Sequence, residues 1–392
     1  MTIRTLWLTF AQAATVALAA VFVVTTLKPE WLASRDAARE APVVVKQAAP
    51  APASAAGAKP GSYNDAVVKA APAVVNIFTS GTAKGQKHPF ADDPLFRRFF
   101  GDSLGDGRRT ASLGSGVIVS PKGYVITNNH VVEGMDQIEV LLADSQTRLS
   151  AKVVGTDLET DLAVLKVERD DLPAITFGAL DAVRVGDVVL AIGNPFGVGQ
   201  TVTMGIVSAL GRTGLGISTY ENFIQTDAAI NQGNSGGALV DIAGNLIGIN
   251  TVILSGSGGS IGIGFAIPVS TARSVMEQII AGGAVTRGYI GIQAQEVTTE
   301  LAESFKIPGG AGVLIAGVER NGPAEKGGVK PGDVLIAVNG RATRDPAAML
   351  DAVAGLAPGS QATLKLRRAQ NELEVAVTVG KRPPAQRRPA PR

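Results

Sequence analysis

Ser235 stands in the run Gly233-Asn234-Ser235-Gly236-Gly237, and the chain's two histidines, His88 and His130, both lie upstream of it. A serine hydroxyl is a weak nucleophile at neutral pH until a base removes its proton in the transition state. A strand-turn-helix nucleophile elbow takes that base from a histidine after the serine, which this chain lacks. The other arrangement takes it from a histidine well before the serine. His88 is followed by Pro89 among phenylalanines and charges, and reads as an ordinary loop residue. His130 closes the run Tyr124-Val125-Ile126-Thr127-Asn128-Asn129-His130-Val131-Val132, where a strand passes into a short turn. That position puts an imidazole at the rim of a fold rather than inside its packing, and makes His130 the base.

The imidazole needs a carboxylate to fix its tautomer and stabilise its cation. Asp157 and Asp161 both fall in Thr156-Asp157-Leu158-Glu159-Thr160-Asp161. Asp161 is the better placed, because the strand Leu162–Val167 begins directly after it and would hold it rigidly. The order His130, Asp161, Ser235 is that of the chymotrypsin arrangement. The glycines do separate work: a tetrahedral oxyanion needs two backbone N–H donors, and small residues let the chain turn tightly enough to aim them. The N–H groups of Gly233 and Ser235 form the natural pair. An acid about six residues before the serine would select basic side chains. Ala228-Ala229-Ile230 occupies that neighbourhood, which implies a neutral pocket for small or medium apolar side chains.

These residues need rigid elements to hold them. From Val74 to about Ile267 the chain shows short apolar or alternating runs broken by Gly, Asn, Asp and Pro, among them Val74–Phe78, Gly116–Val119, Ile138–Leu142, Val188–Ile192, Ile206–Leu210 and Leu246–Asn250. Many short strands with turn signals between them read as an all-β sandwich or barrel. Gly81–Ser112 interrupts them with Phe90, Phe96, Phe99 and Phe100 among charges, suggesting a long mobile surface loop. Ser62 and Asp65 mark a helix start before Ala66-Val67-Val68. Pro268–Gly282 is amphipathic, with Val275 and Ile279 on one face, and its helix connects to a second β-rich stretch, Gly288–Val379.

The 392 residues exceed one ordinary core, so two folded domains with linkers are expected. With no cysteine there is neither a disulfide framework nor a thiolate zinc site, and two histidines leave no all-histidine metal site; no cofactor is expected. The formal charge of +2 owes much to Lys381, Arg382, Arg387, Arg388 and Arg392, read as a solvated Pro-rich tail; without them the body is slightly acidic. Nucleic acid is therefore not expected as a partner, since phosphate binding needs a concentrated basic face. Thr5–Leu27 carries no charge, and as a helix it would span roughly 35 Å, enough for a bilayer core. Arg4 before it places the N-terminus in the cytoplasm and the rest outside. Ala17-Leu18-Ala19 offers the alternative of a cleaved signal and a soluble product, but Val21-Phe22-Val23-Val24 prolongs the apolar run, which favours an anchor.

With these residues assembled, the chain resembles the HtrA family of serine proteases, of the DegS and DegP types, from about Ser62 to Val379. The motifs are Thr127–Val132, Asp161–Lys166 and Gly233-Asn234-Ser235-Gly236-Gly237-Ala238-Leu239. The resemblance implies a mostly β fold: a chymotrypsin-like double β-barrel protease domain, then one PDZ domain, behind an N-terminal transmembrane helix. The expected segments are 1–32 for the cytoplasmic end and anchor, 33–61 for an Ala/Pro-rich linker, 62–282 for the protease, 283–380 for the PDZ domain and 381–392 for the tail. It also implies that Ile253 helps form the specificity pocket and that Arg212 is a sensor-loop arginine. Tyr289-Ile290-Gly291-Ile292 matches a carboxylate-binding loop, with Met349, on a helix after Asp345, lining the side-chain pocket. Gly322–Val329 and Pro331–Leu335 match the PDZ signature. By the same likeness the partners are unfolded or membrane-anchored protein substrates, C-terminal peptides of misfolded outer-membrane proteins, and two further copies of the chain in a homotrimer. An anchor with one PDZ domain is similar to the DegS type, which cuts a membrane-bound anti-sigma factor; the Phe-rich loop and Tyr220–Asp227 are closer to the DegP type.

Overall fold

The computed structural model describes residue 7 and residues 46–47, 61–81, 110–194, 199–231, 233–253, 260–304 and 312–383. The apolar run Thr5–Leu27, the loop carrying His88 and residues 384–392 thus lie outside the described residues, Trp7 excepted. Among the described residues no helix is long and apolar enough to cross a membrane.

A two-residue strand, β1 (Lys46–Gln47), precedes the first barrel. That barrel is built from β2 (Val74–Gly81), β3 (Thr110–Ser120), β4 (Tyr124–Asn128), β5 (Gln137–Leu141), β6 (Arg148–Asp157) and β7 (Leu162–Val167), closed in the order β2-β3-β4-β7-β6-β5. Every second residue of β2 from Val75 is buried (Val75, Ile77, Thr79 and Gly81), as a strand with one face inward requires. The helix Asn64–Ala70 leads in, and Ser62 Oγ accepts from Asn64 N at its start.

The second barrel follows β8 (Thr176–Phe177) and uses β9 (Val188–Gly193), β10 (Thr201–Arg212), β11 (Phe223–Thr226), β12 (Ala238–Asp241), β13 (Leu246–Ile253) and β14 (Gly264–Pro268). Their order is β13-β12-β9-β10-β11-β14, and pairing of β13 with β14 closes the ring around Val189, Val207, Ile224, Leu239 and Ile247. The helix Val269–Gly282 buries Val269, Ala272, Val275, Met276 and Ile279, the stripe read from its sequence. It packs on β6 and β7 of one barrel and on β13 and β14 of the other, so it braces the pair as well as leading out of them.

The last domain holds β15 (Gly288–Tyr289), β16 (Ile292–Glu296), β17 (Val313–Val318), β18 (Val334–Val338), β19 (Arg341–Ala342), β20 (Gln361–Arg368), β21 (Asn371–Thr378) and β22 (Gly380–Lys381). The main sheet runs β16-β17-β18-β20-β21, with β15 paired to β22. The helix Pro346–Ala354 starts at Asp345, whose side chain accepts from Ala348 N, a proper N-cap.

Two expectations need correction. Within the stretch read as an unfolded linker, Lys46 and Gln47 pair in parallel with Thr176 and Phe177, and Gln47 Nε2 donates to the carbonyls of Phe177 and Gly178. Composition flagged the stretch as Ala/Pro-rich but could not show that an edge of β8 was free to pair. Lys381 and Arg382 likewise belong to the fold rather than to a solvated tail: Lys381 pairs with Gly288, and Arg382 Nε donates to Glu159 Oε1 at 2.8 Å.

Candidate active site

His130 lies in a one-turn helix, Asn129–Val132, that follows β4 directly, and Asp161 sits immediately before β7, the neighbour of β4. The pairing of these strands fixes their spacing. His130 Nδ1 is 2.7 Å from Asp161 Oδ2, and His130 N donates to Asp161 Oδ1 at 3.0 Å. Asn129 N and Asn128 Nδ2 both donate to the Asp161 carbonyl. Asp161 itself has φ 59°, a left-handed conformation, so its carboxylate turns back toward the histidine. Of the two acids in that turn, Asp161 therefore meets the imidazole. Asp157 is engaged elsewhere, by Thr160 Oγ1 and by Arg287.

The candidate nucleophile comes from the other barrel. Ser235 lies before β12, is 8% exposed, and donates its hydroxyl proton to the Thr251 carbonyl at 2.8 Å. Thr251 Oγ1 donates to Asp161 Oδ2 at 3.1 Å, so one residue of β13 touches both the acid and the serine. Sequence reasoning passed over Thr251. A threonine within an alternating strand carries no visible mark of such a role. Gly236 has φ 83°, and a Cβ there would strike the Ser115 carbonyl and the Thr127 hydroxyl, so glycine is required. Among the described residues, the N–H groups of Gly233 and Ser235 have no main-chain acceptor, as donors awaiting an oxyanion should be.

Burial pulls the His130 pKa down, but the charge of Asp161, its hydrogen bond and the charge of Glu133 outweigh this and leave it above 6.5. The imidazole is thus a stronger base than in water. Ala228 and Ile230, at the expected pocket base, are buried and uncharged. Ile253 ends β13 opposite Gly264.

Arg212 ends β10 opposite Phe223, and its Nε donates to Gln225 Oε1. The loop that follows turns toward the last domain, where Thr213, Tyr220 and Glu221 share a cavity of about 600 Å³ with Asp345, Leu350 and Asp351. A second link is ionic. Arg287, at the start of the last domain, binds Asp157 through both Nη atoms, and Arg382 binds Glu159. Tyr220 lies under both guanidiniums, 4.3 Å and 5.4 Å from its ring centre, and burial pushes its pKa up to about 12. The acids gripped here, Asp157 and Glu159, precede Asp161 in the same turn. Sequence reasoning missed this link, since neither Arg287 nor Arg382 lies in a motif.

In the last domain, Ile290 is buried and Gly291 has φ 72°. The carbonyls of Ile290 and Gly291 accept from Ala324 N and Glu319 N, while their own N–H groups have no main-chain acceptor among the described residues. Burial, and then the neighbouring Glu319 carboxylate, raise the Tyr289 pKa. Met349 is buried in the domain core with Ile290, Leu335 and Val338.

Two barrels with a histidine–aspartate pair on one and a glycine-flanked serine on the other, followed by a small β domain, define a trypsin-like peptidase joined to a PDZ domain. Residues 114–249 match the trypsin-like peptidase domain family and residues 288–379 the PDZ domain family. Among curated relatives, a probable periplasmic serine endoprotease, DegP-like, of Chlamydia trachomatis serovar D is 46% identical over 311 residues, covering 77% of this chain and 62% of the relative. Its counterpart in Halomonas elongata is 43% identical over 351 residues, covering 85% and 74%. The chain thus spans about 62% of the length of the first of these. Among solved structures, the HtrA-type protease AlgW with decapeptide is 54% identical with a TM-score of 0.71, covering 83% of this chain and all (100%) of that one. The same protease with tripeptide is 50% identical with a TM-score of 0.72, covering 83% and 98%. The chain belongs to the HtrA-type serine protease family.

Proposed function

We propose that this chain is a periplasmic serine endopeptidase that cleaves unfolded or regulatory envelope proteins after small or medium apolar residues, and that C-terminal peptides bound at its PDZ domain switch it on. The observation that carries the catalytic reading is the continuous chain His130–Asp161–Thr251–Ser235 across the two barrels. In the cycle, the Ser235 hydroxyl turns from the Thr251 carbonyl to His130 Nε2, which takes its proton as Oγ attacks the scissile carbonyl. Asp161 stabilises the imidazolium that forms, and the N–H groups of Gly233 and Ser235 receive the oxyanion. His130 then returns the proton to the leaving amine, and water completes the cycle through the same base. Buried, uncharged Ala228 and Ile230 support the apolar preference, with Ile253 assigned to the pocket by the family resemblance.

Control by peptide draws on the N–H groups of Ile290 and Gly291, which have no main-chain acceptor among the described residues and can capture a terminal carboxylate while the peptide adds beside β16. The decapeptide and tripeptide bound to the AlgW relative support it. Arg212 and the loop after it, together with the grip of Arg287 and Arg382 on the turn leading to Asp161, supply a route from one domain to the other. Membrane anchoring through Thr5–Leu27, a homotrimer, and cleavage of an anti-sigma factor in response to outer-membrane protein C-termini complete the DegS-like reading. The names of the curated relatives favour a second reading, general degradation of misfolded protein.

Ser235→Ala abolishes cleavage of an unfolded protein and labelling by a fluorophosphonate probe, while peptide binding persists. Equal cleavage by wild type and variant overturns the nucleophile. Peptides ending in an aromatic residue raise the rate by several-fold to about a hundredfold, the usual range of coupling between sites. A high rate without peptide, unmoved by Arg212→Ala, favours general degradation.

A further inference from the structure

We propose that Ser115 is a positioning residue for the oxyanion site: its hydroxyl holds the Gly233 carbonyl away from the place where the oxyanion forms. Ser115 lies in β3 and is wholly buried, with 0% exposure. Its hydroxyl donates to the Gly233 carbonyl at 2.7 Å and accepts from Asn194 N at 2.9 Å. Its own N–H donates to the Ser235 carbonyl at 2.8 Å. Thr127 Oγ1 in turn holds the Ser115 carbonyl at 2.7 Å. One residue of the first barrel thus grips the carbonyls at both ends of Gly233-Asn234-Ser235, a segment of the second barrel.

The direction of each bond is fixed. A hydroxyl has one proton, and Asn194 N–H can only donate, so the Ser115 proton must go to Gly233. Gly233 has φ 98°, and the freedom that lets glycine make this turn also lets its peptide planes rotate. A Gly233 carbonyl rotated inward would set a negative dipole where negative charge develops, opposing the very donors the site must present. A buried serine in a strand often does no more than fill space. Here the same hydroxyl also accepts from Asn194, whose Oδ1 closes its own loop on Gly199 N, so three segments meet at one oxygen.

The inference rests on Ser235 being the nucleophile, and the test separates the two. Ser115→Ala, Ser115→Cys, Ser120→Ala and Ser235→Ala are compared for kcat and KM on an unstructured peptide, for inhibition by a peptide boronate, which forms a tetrahedral adduct, and for thermal unfolding. Ser120 is a matched control: the same strand, 1% exposed, its hydroxyl accepting from Lys122 N, and no part in the site. The expected result for Ser115→Ala is a fall in kcat and in boronate affinity of about 10- to 100-fold together, short of the loss from deleting an oxyanion donor outright, with KM little changed. Ser115→Cys, a weaker donor of similar size, falls between alanine and wild type; it carries the test if the alanine variant does not fold. Unchanged kcat in both Ser115 variants, a loss confined to KM, or an equal loss in Ser120→Ala overturns the assignment. Hydrolysis surviving in Ser235→Ala instead overturns the nucleophile.

Discussion

In the proposed function two glycine-containing loops of this chain offer N–H groups to an oxygen anion, and each is pinned through its carbonyls by different partners. The segment Gly233–Ser235 is pinned at both carbonyls by buried Ser115, with Gly236 locked against the Ser115 carbonyl beyond it. The segment Tyr289–Ile292 is pinned at the carbonyls of Ile290 and Gly291 by Ala324 N and Glu319 N, and a Cβ at Gly291 would meet the Glu319 side chain. In the proposed mechanism the first loop meets a charge that exists only in a transition state, so any donor that must move to meet it loses rate. In the same proposal the second meets the permanent charge of a peptide terminus, and adjustment there costs affinity instead.

Removing the acid behind the first loop gives the largest effect. Asp161→Asn lowers kcat by about 10⁴-fold, the cost of the wrong imidazole tautomer. His130 acts as a base only when neutral, so activity falls as pH drops through its pKa, which lies above 6.5 in this fold. Asp161→Asn removes two of the contributions that raise it and leaves the burial that lowers it, so the acid limb of the rate profile moves to lower pH. A pH series on both proteins checks the sign.

Next comes Gly236→Ala. Its Cβ meets main chain at Ser115, and φ 83° is unfavourable for alanine, so the loop must shift. A displaced oxyanion donor lowers kcat by about 10²-fold or more, read by steady-state kinetics beside thermal unfolding. The parallel change in the other loop, Gly291→Ala, is milder. There the new Cβ sits 2.9 Å from Glu319 Oε2, the far end of a side chain that can swing aside, although φ is 72°. Strain of about 1–2 kcal/mol corresponds to roughly tenfold weaker peptide binding. Fluorescence anisotropy with a labelled C-terminal peptide measures it. If Gly291→Ala disturbs binding as severely as Gly236→Ala disturbs catalysis, the contrast between the loops is wrong. The smallest effect is Tyr289→Phe, which removes only the hydroxyl neighbouring the Glu319 carboxylate and changes peptide affinity about two- to threefold, with thermal stability within about 1 kcal/mol.

What the sequence made legible follows from how local each signal is. Strands such as β2 and β7 announce themselves through apolar runs, and the helix Val269–Gly282 through its stripe. The order of His130, Asp161 and Ser235 narrows the chemistry because few arrangements fit it. Strand β6 was not read from its pattern: its burial does not alternate, and Val153 is 44% exposed. Ser115 and Thr251 were illegible for a different reason. Each works through hydrogen bonds to partners far away in the chain, and a hydroxyl in a strand looks the same with or without them. The same holds for Arg287 and Arg382, whose acids lie more than a hundred residues upstream. Composition counts charges; it does not say which of them meet.

The left-handed backbone at Asp161 has a consequence for how freely this site could vary. Few side chains accept that conformation, and asparagine and aspartate are foremost among them because their short polar groups bond locally. Glutamate carries the same charge but has an extra methylene and no such tolerance, so at this position the two acids are not interchangeable. The choice of acid is made by a torsion angle before it is made by the histidine.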